Sequence, residues 1–178
     1  MNTLAQPLEH FFDLRRLSDA GADVTIAADA AALERLAGWL DAERVTLFKA
    51  AVSLRRIAHN RFGFDVDFEC DLVLRSVVSL EPVPSRVVQQ FSRELHLVNR
   101  DRREIEKGEV LTLATGDDDG PEEIDSPKYD LAAPVLEELS LAIDPYPRAP
   151  GEEFGATDAS GAEKESPFAV LKKLKEGG

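Results

Sequence analysis

Four carboxylates spaced two apart, Asp65, Asp67, Glu69 and Asp71, come nearest in this chain to a pattern that could do chemistry. Such a row could ligate a divalent cation or supply an acid/base pair. On one strand, however, same-face neighbours stand about 7 Å apart, too far for several to reach one ion unless other elements converge. The expectation is a solvated face, partly neutralised by Arg55 and its neighbours. Asp117-Asp118-Asp119-Gly120 has the composition of a calcium loop but not its alternation of ligands, and reads as an acidic linker. His10, His59 and His96 lie far apart without HExxH spacing, and Ser79 and Ser85 stand in no G-x-S-x-G context. Cys70 falls on an apolar strand face, where a thiol behaves as a small hydrophobe. Neither GxGxxG nor GxxxxGK[ST] occurs. No catalytic, metal or cofactor-binding residue is predicted, and the chain reads as a non-enzyme without a cofactor.

The basic residues are the candidates for contact with RNA or a partner. Arg55, Arg56 and Arg61 flank a turn, and Arg100, Arg102 and Arg103 follow a strand, where they could hydrogen-bond phosphates. Asp101, Glu104 and Glu106 interrupt the second cluster, so a salt-bridged surface segment is the other reading. No RNA-recognition signature with interleaved aromatics accompanies either. A further candidate is the segment after Ser166-Pro167, where Phe168, Leu171 and Leu174 form a helical stripe beside Lys172, Lys173 and Lys175. At about ten residues such a helix is not stable alone and needs a surface, its own domain's or a partner's.

These residues hang on elements whose periodicity is readable. Phe64, Val66, Phe68, Cys70, Leu72 and Leu74 alternate with mostly polar residues, the pattern of a half-buried strand. Val45 to Ile57 alternates likewise, and Ala58 to Gly63 supplies turn chemistry, so an antiparallel hairpin is predicted. Matching apolar faces sets Leu54 opposite Phe68, Val52 opposite Cys70, Ala50 opposite Leu72, Phe48 opposite Leu74 and Arg55 opposite Asp67. Two short strands, Glu9 to Leu17 and Asp23 to Ala27, precede a helix capped by Asp29 and running to about Leu40. After the break at Pro82-Val83-Pro84, a strand is expected from Arg86 to Val98, and a short last one from Val110 to Leu113. Helix signals return at Asp130, with Pro134 in or just after the first turn.

At 178 residues and 43% hydrophobic content, the chain can bury one substantial core. Its net charge of −13 is uneven: residues 1–107 hold 15 Lys/Arg against 17 Asp/Glu, residues 108–178 hold 6 against 17. An acidic protein repels polyanions at long range, so RNA would be met through a local basic patch or a protein partner. The single cysteine excludes an intrachain disulfide. No signal-like start and no run approaching about 20 apolar residues is present. A cytoplasmic protein is expected, without membrane or DNA contact.

Three blocks resemble one bacterial family. Asp130 to Pro147 fits D-L-x-x-x-V-x-E-x-L-x-L-A-L/I-D-P-Y-P, and Ser166 to Lys175 fits N/S-P-F-A-x-L-x-x-L-K. Val77-Val78-Ser79-Leu80-Glu81-Pro82 is similar to a central V-V-T-L-E-P block of an alphaproteobacterial branch. All three are found in the YceD family, the large ribosomal RNA subunit accumulation proteins. The resemblance implies a non-enzymatic factor supporting accumulation or processing of 23S rRNA, with large-subunit rRNA or a large-subunit ribosomal protein as partner. Many members carry cysteines in the central block, in a C-x-x-C-like arrangement or as a single one just before it; here Ser76 stands at that position and Cys70 lies outside the motif, so a metal or redox role for those thiols does not transfer.

The expected architecture is an α+β domain over residues 1–147. A mainly antiparallel curved sheet or partial barrel carries one or two covering helices. A mobile acidic loop spans 116–128, a flexible linker 148–165, and a short tethered helix 166–178. Two other readings of function stay open: an acidic adaptor for a basic ribosomal protein without RNA contact, and a small-ligand-binding β-barrel.

Overall fold

The structure is a computed structural model that describes residues 6–98 and 120–152. Arg100, Arg102, Arg103, the strand expected at Val110 to Leu113 and the helix expected at 166–178 lie outside the described residues.

The alternating runs form the centre of the fold. Strands β1 (Phe11–Asp13), β2 (Ala22–Ala27), β3 (Arg44–Ala58), β4 (Arg61–Arg75), β5 (Pro82–Leu97), β6 (Glu122–Ile124) and β7 (Lys128–Asp130) are joined by helices α1 (Ala30–Trp39) and α2 (Ala132–Ala142). The main sheet has the order β2-β3-β4-β5-β6, antiparallel except for the parallel β5–β6 pair. A second, two-stranded sheet pairs β1 with β7. The fold is α+β as the sequence implies. The main sheet stays open, with β2 and β6 at its edges among the described residues. It is not a barrel, and the small-ligand β-barrel reading loses its interior.

The β3–β4 hairpin differs from the expected register. Leu54 faces Phe64, Val52 faces Val66, Ala50 faces Phe68 and Phe48 faces Cys70. The slip is even-numbered, so every apolar residue keeps its face. Its cause is the turn: His59 and Asn60 alone connect the strands, whereas the sequence had suggested a loop through Gly63. Phe62, Gly63 and Phe64 are consequently strand residues, and all three are buried.

Three other segments differ. Glu9 to Leu17 is not one strand; after Asp13 it turns into a 3-10 helix, Leu14–Arg16, whose first turn is capped by the Asp13 carboxylate accepting from the Arg15 N–H at 3.0 Å. β1 also leaves β2 alone and pairs with β7, while β2 joins β3. Gly21 at the start of β2 has φ +83, and a Cβ there would stand 2.6 Å from the Leu54 carbonyl oxygen. β5 begins at Pro82 rather than at Arg86. Both prolines fit because, among the described residues, that end of β5 is a sheet edge: β6 pairs only with Leu95 to Leu97. Within the loop expected at 116–128, residues 122–124 form β6, and β7 begins at Lys128.

Both helices start as the sequence suggests. The Asp29 carboxylate accepts from the Ala32 N–H at 2.7 Å, a side-chain N-cap. Pro134 sits in the first turn of α2, where its missing N–H is harmless. Asp130 Oδ1 accepts from the Ala132 N–H at 3.0 Å and the His10 N–H at 2.7 Å, tying the start of α2 to the N-terminal segment.

The helices cover one face of the main sheet. Leu36 of α1 and Val135, Leu136 and Leu139 of α2 join Phe48, Val52, Phe62, Phe64, Leu72 and Leu95 in a single core. Phe64 lies near its centre, fully buried, with the rings of Phe91 and Tyr129 at centroid distances of 6.2 and 6.1 Å. Burying each such side chain contributes about 1.5–3 kcal/mol. The opposite face presents Lys49, Ala51, Ser53, Asp67, Arg86, Val88 and Gln90 to solvent.

Candidate functional site

The arginines expected at the hairpin end are brought together there, but each is occupied. Arg55 forms an ion pair with Asp65 on the exposed face. The pair is diagonal and possible because Gly63, directly across from Arg55, has no side chain: a Cβ there would lie 3.1 Å from the Arg55 guanidinium carbon. Arg56 donates through Nη2 to the carbonyls of Leu17 at 2.7 Å and Leu14 at 3.4 Å, and its guanidinium lies 5.1 Å from the Phe62 ring centroid. It thereby closes the C-terminal end of the 3-10 helix. Arg61 pairs with Glu94 of β5 at 2.9 Å.

The carboxylate row lies along β4 as expected, and it is laced to its neighbours. Asp65 also accepts from the Ser92 hydroxyl at 2.7 Å, and Arg86 reaches Glu69 at 2.7 Å and Asp71 at 3.5 Å. These pairs are a third to a half or more exposed and each contributes about 0–1 kcal/mol. Asp67 sits between them, across from Gln90 and Ala51. Among the described residues no group of three or more His, Cys, Asp or Glu side chains converges to hold a metal ion. The row is a solvent-facing set of carboxylates tied to basic and hydroxyl side chains of the neighbouring strands.

Arg93 is a junction the sequence analysis missed. It bonds Glu137 at 2.7 Å and Glu138 at 2.9 Å on α2, lies 3.9 Å from Glu122 of β6, and stands 5.6 Å from the Phe91 ring centroid. Burial opposes its charge, but the hydrogen bonds to Glu138 and Glu137 outweigh that, so its pKa is raised. Nearby, burial and then Glu122 push the Tyr129 phenol well above its usual range. The adjacent pair Glu137-Glu138 on one predicted helix was the only available signal for this junction.

Two of the family-like blocks meet at Ser76, also unforeseen. Ser76 is 1% exposed, the one buried polar residue among those described, and begins the β4–β5 connection. Its hydroxyl donates to Glu152 at 2.5 Å and accepts from the N–H groups of Val78 and Ser79 at 3.1 and 3.2 Å. Glu152 also accepts from the Ala149 N–H at 2.9 Å, and the Val77 N–H donates to the Pro147 carbonyl at 3.0 Å. The segment after Tyr146 is thus bound to the connection carrying Val77 to Glu81, and residues 148–152, expected in a flexible linker, are bonded to the domain. Hydrogen bonds from Ser76, Ser79 and the Ala149 backbone hold the Glu152 carboxyl below its ordinary value.

Cys70 carries no reactive signature. It is fully buried, and burial, reinforced by Asp71, pushes its thiol up to about 12. No helix among the described residues is long and apolar enough to cross a membrane.

No curated protein and no solved structure gives a significant match to the chain. The sequence model of one family, described as large ribosomal RNA subunit accumulation protein YceD, matches residues 64–175. That span contains most of β4, all of β5, the Ser76 connection, α2 and the segment through Glu152. Matching well over half of the sequence, it shows that this chain belongs to the YceD family.

Proposed function

We propose that this chain is a non-enzymatic ribosome-biogenesis factor that supports accumulation or processing of 23S rRNA in the cytoplasm. The observation that carries this reading is the family match over residues 64–175, whose description names large ribosomal RNA accumulation. The geometry is compatible with such a role, because the chemistry-bearing side chains are organised as surface pairs and structural ties.

One observation favours a protein as the immediate partner. Arg55, Arg61, Arg86 and Arg93 are each paired with carboxylates of the same domain, and Arg56 is committed to backbone carbonyls. Contacting phosphate would require those pairs to be broken, and the net acidic surface opposes the approach of RNA. A basic large-subunit ribosomal protein meets neither obstacle. Arg100, Arg102 and Arg103 are the candidates for direct RNA contact.

The test is recovery of the tagged full-length chain from its own cells at low and high salt, with retained RNA sequenced and proteins identified. Enrichment of 23S rRNA or its precursors together with large-subunit proteins supports the function. Retention of a ribosomal protein after ribonuclease treatment, lost at high salt, supports the adaptor mode. Recovery of no ribosomal component overturns the reading.

A further inference from the structure

Val77, Leu80 and Tyr146 are 41%, 69% and 69% exposed. They stand on the two segments joined at Ser76: the Val77 N–H is bonded to the carbonyl next to Tyr146, and the Leu80 N–H closes the same turn on the Ser76 carbonyl at 3.1 Å. Leu80 has φ 65, a left-handed backbone that glycine and asparagine adopt readily and leucine does not. A leucine both strained and exposed adds nothing to its own turn. Such strain is retained where the side chain has another use.

The described chain stops at Glu152, which is itself bonded to this turn. The stripe Phe168, Leu171 and Leu174 is therefore tethered beside the patch by residues 153–165, a link that spans at most about 45 Å when fully extended. A short tether of this kind gives an effective local concentration in the millimolar range. The segment 166–178 bears three lysines and one glutamate; Glu81 and Asp144 are the exposed carboxylates beside the patch, and Arg75 and Arg148 are exposed basic residues beside it as well. Reach and apolar character agree, and Glu81 and Asp144 offer partners to the lysines.

We propose that residues 166–175 fold back as a short helix onto the patch of Val77, Leu80 and Tyr146 of the same chain, with Lys172, Lys173 and Lys175 towards Glu81 and Asp144. The claim goes beyond the ribosomal role and does not depend on it.

The experiment places a nitroxide on Val170→Cys in the full-length, isotopically labelled chain. Cys70 is buried, so the label goes to position 170 alone. Expected is a severalfold loss of amide signal at Val77, Val78, Leu80 and Tyr146, with Ala51 and Gln90 on the open sheet face unaffected. Leu80→Asn suits the left-handed backbone while removing the apolar side chain, so it should abolish the effect in a chain whose other amide signals are unchanged. Absence of signal loss at the patch, or loss confined to another surface, overturns the proposal. Loss that requires mixing spin-labelled chains with separate isotope-labelled ones assigns the patch to a second copy and overturns it equally.

Discussion

The Ser76 hydroxyl and the Glu152 carboxylate meet at 2.5 Å across 76 positions of sequence, and this bond fastens the segment after α2 to the β4–β5 connection. Because the folded carboxyl is held below its ordinary value of 4.5, the stabilisation is fully present above that pH and is lost as pH falls through the depressed midpoint. Carboxyl NMR should show Glu152 titrating below 4.5, with the Val77 and Tyr146 amides moving at the same midpoint. In Ser76→Ala the Glu152 midpoint should rise towards its ordinary value. A Glu152 that titrates at 4.5 or higher in the native chain would sink the assignment.

Arg56→Ala should destabilise the domain by about 1–3 kcal/mol, the range for a hydrogen-bonded charge whose carbonyl acceptors are then left without a donor. Arg55→Ala, which removes only an exposed pair, should cost less than about 1 kcal/mol. Urea denaturation of the two variants distinguishes them. Equal losses would contradict the structural role of Arg56.

Gly21→Ala should lower stability by more than 1 kcal/mol, roughly the cost of an incompatible backbone alone, because the new methyl group also meets the Leu54 carbonyl. Gly38→Ala is the comparison, since a Cβ there meets nothing within 4 Å. On α1 it should be neutral or stabilising by up to about 1 kcal/mol. Thermal melts of the two would separate them, and a neutral Gly21→Ala would be incompatible with the β2 geometry.

Phe64→Ala should cost about 3–5 kcal/mol, as expected for emptying a fully buried aromatic site. Near-ultraviolet circular dichroism should weaken as well, since Tyr129 loses the ring it packs against. A loss below about 1 kcal/mol would show that the core is not centred there.

In native protein at pH 8, the Cys70 thiol should resist alkylation and should react fully once the chain is unfolded in denaturant. Burial removes access, and a pKa of about 12 leaves almost no thiolate. Rapid native labelling would contradict its place on the buried face of β4.

The central hairpin was legible because alternation along β3 and β4 reports burial directly, and the face of every apolar residue from Phe64 to Leu74 followed from it. The register was not legible to the same degree: an even slip preserves faces, and Arg61 to Gly63 carry turn-like residues that the strand accepts. Pro82 misled similarly, because a sheet edge tolerates what a central strand would reject. The pairings of β1 with β7, Arg93 with α2 and Ser76 with Glu152 join residues with no common periodicity, so no local pattern announced them. Of the candidate contact residues, Arg55, Arg56 and Arg61 lie at the hairpin end, and their ion pairs and carbonyl bonds depend on Gly63 and on the fold of the N-terminal segment.

The pairing of β1 with β7 bears on how the protein is born. His10 and Asp130 are 120 residues apart, and at about 5–20 residues per second their synthesis is separated by about 6–24 s. During that interval Phe12, Leu14 and Leu17 have emerged without the strand and helix that will cover them. Pairing β1 with β7 therefore closes early chain on late chain. Translation speed or a chaperone holding the N-terminal segment should govern the yield of native protein, while leaving the stability of the finished domain unchanged.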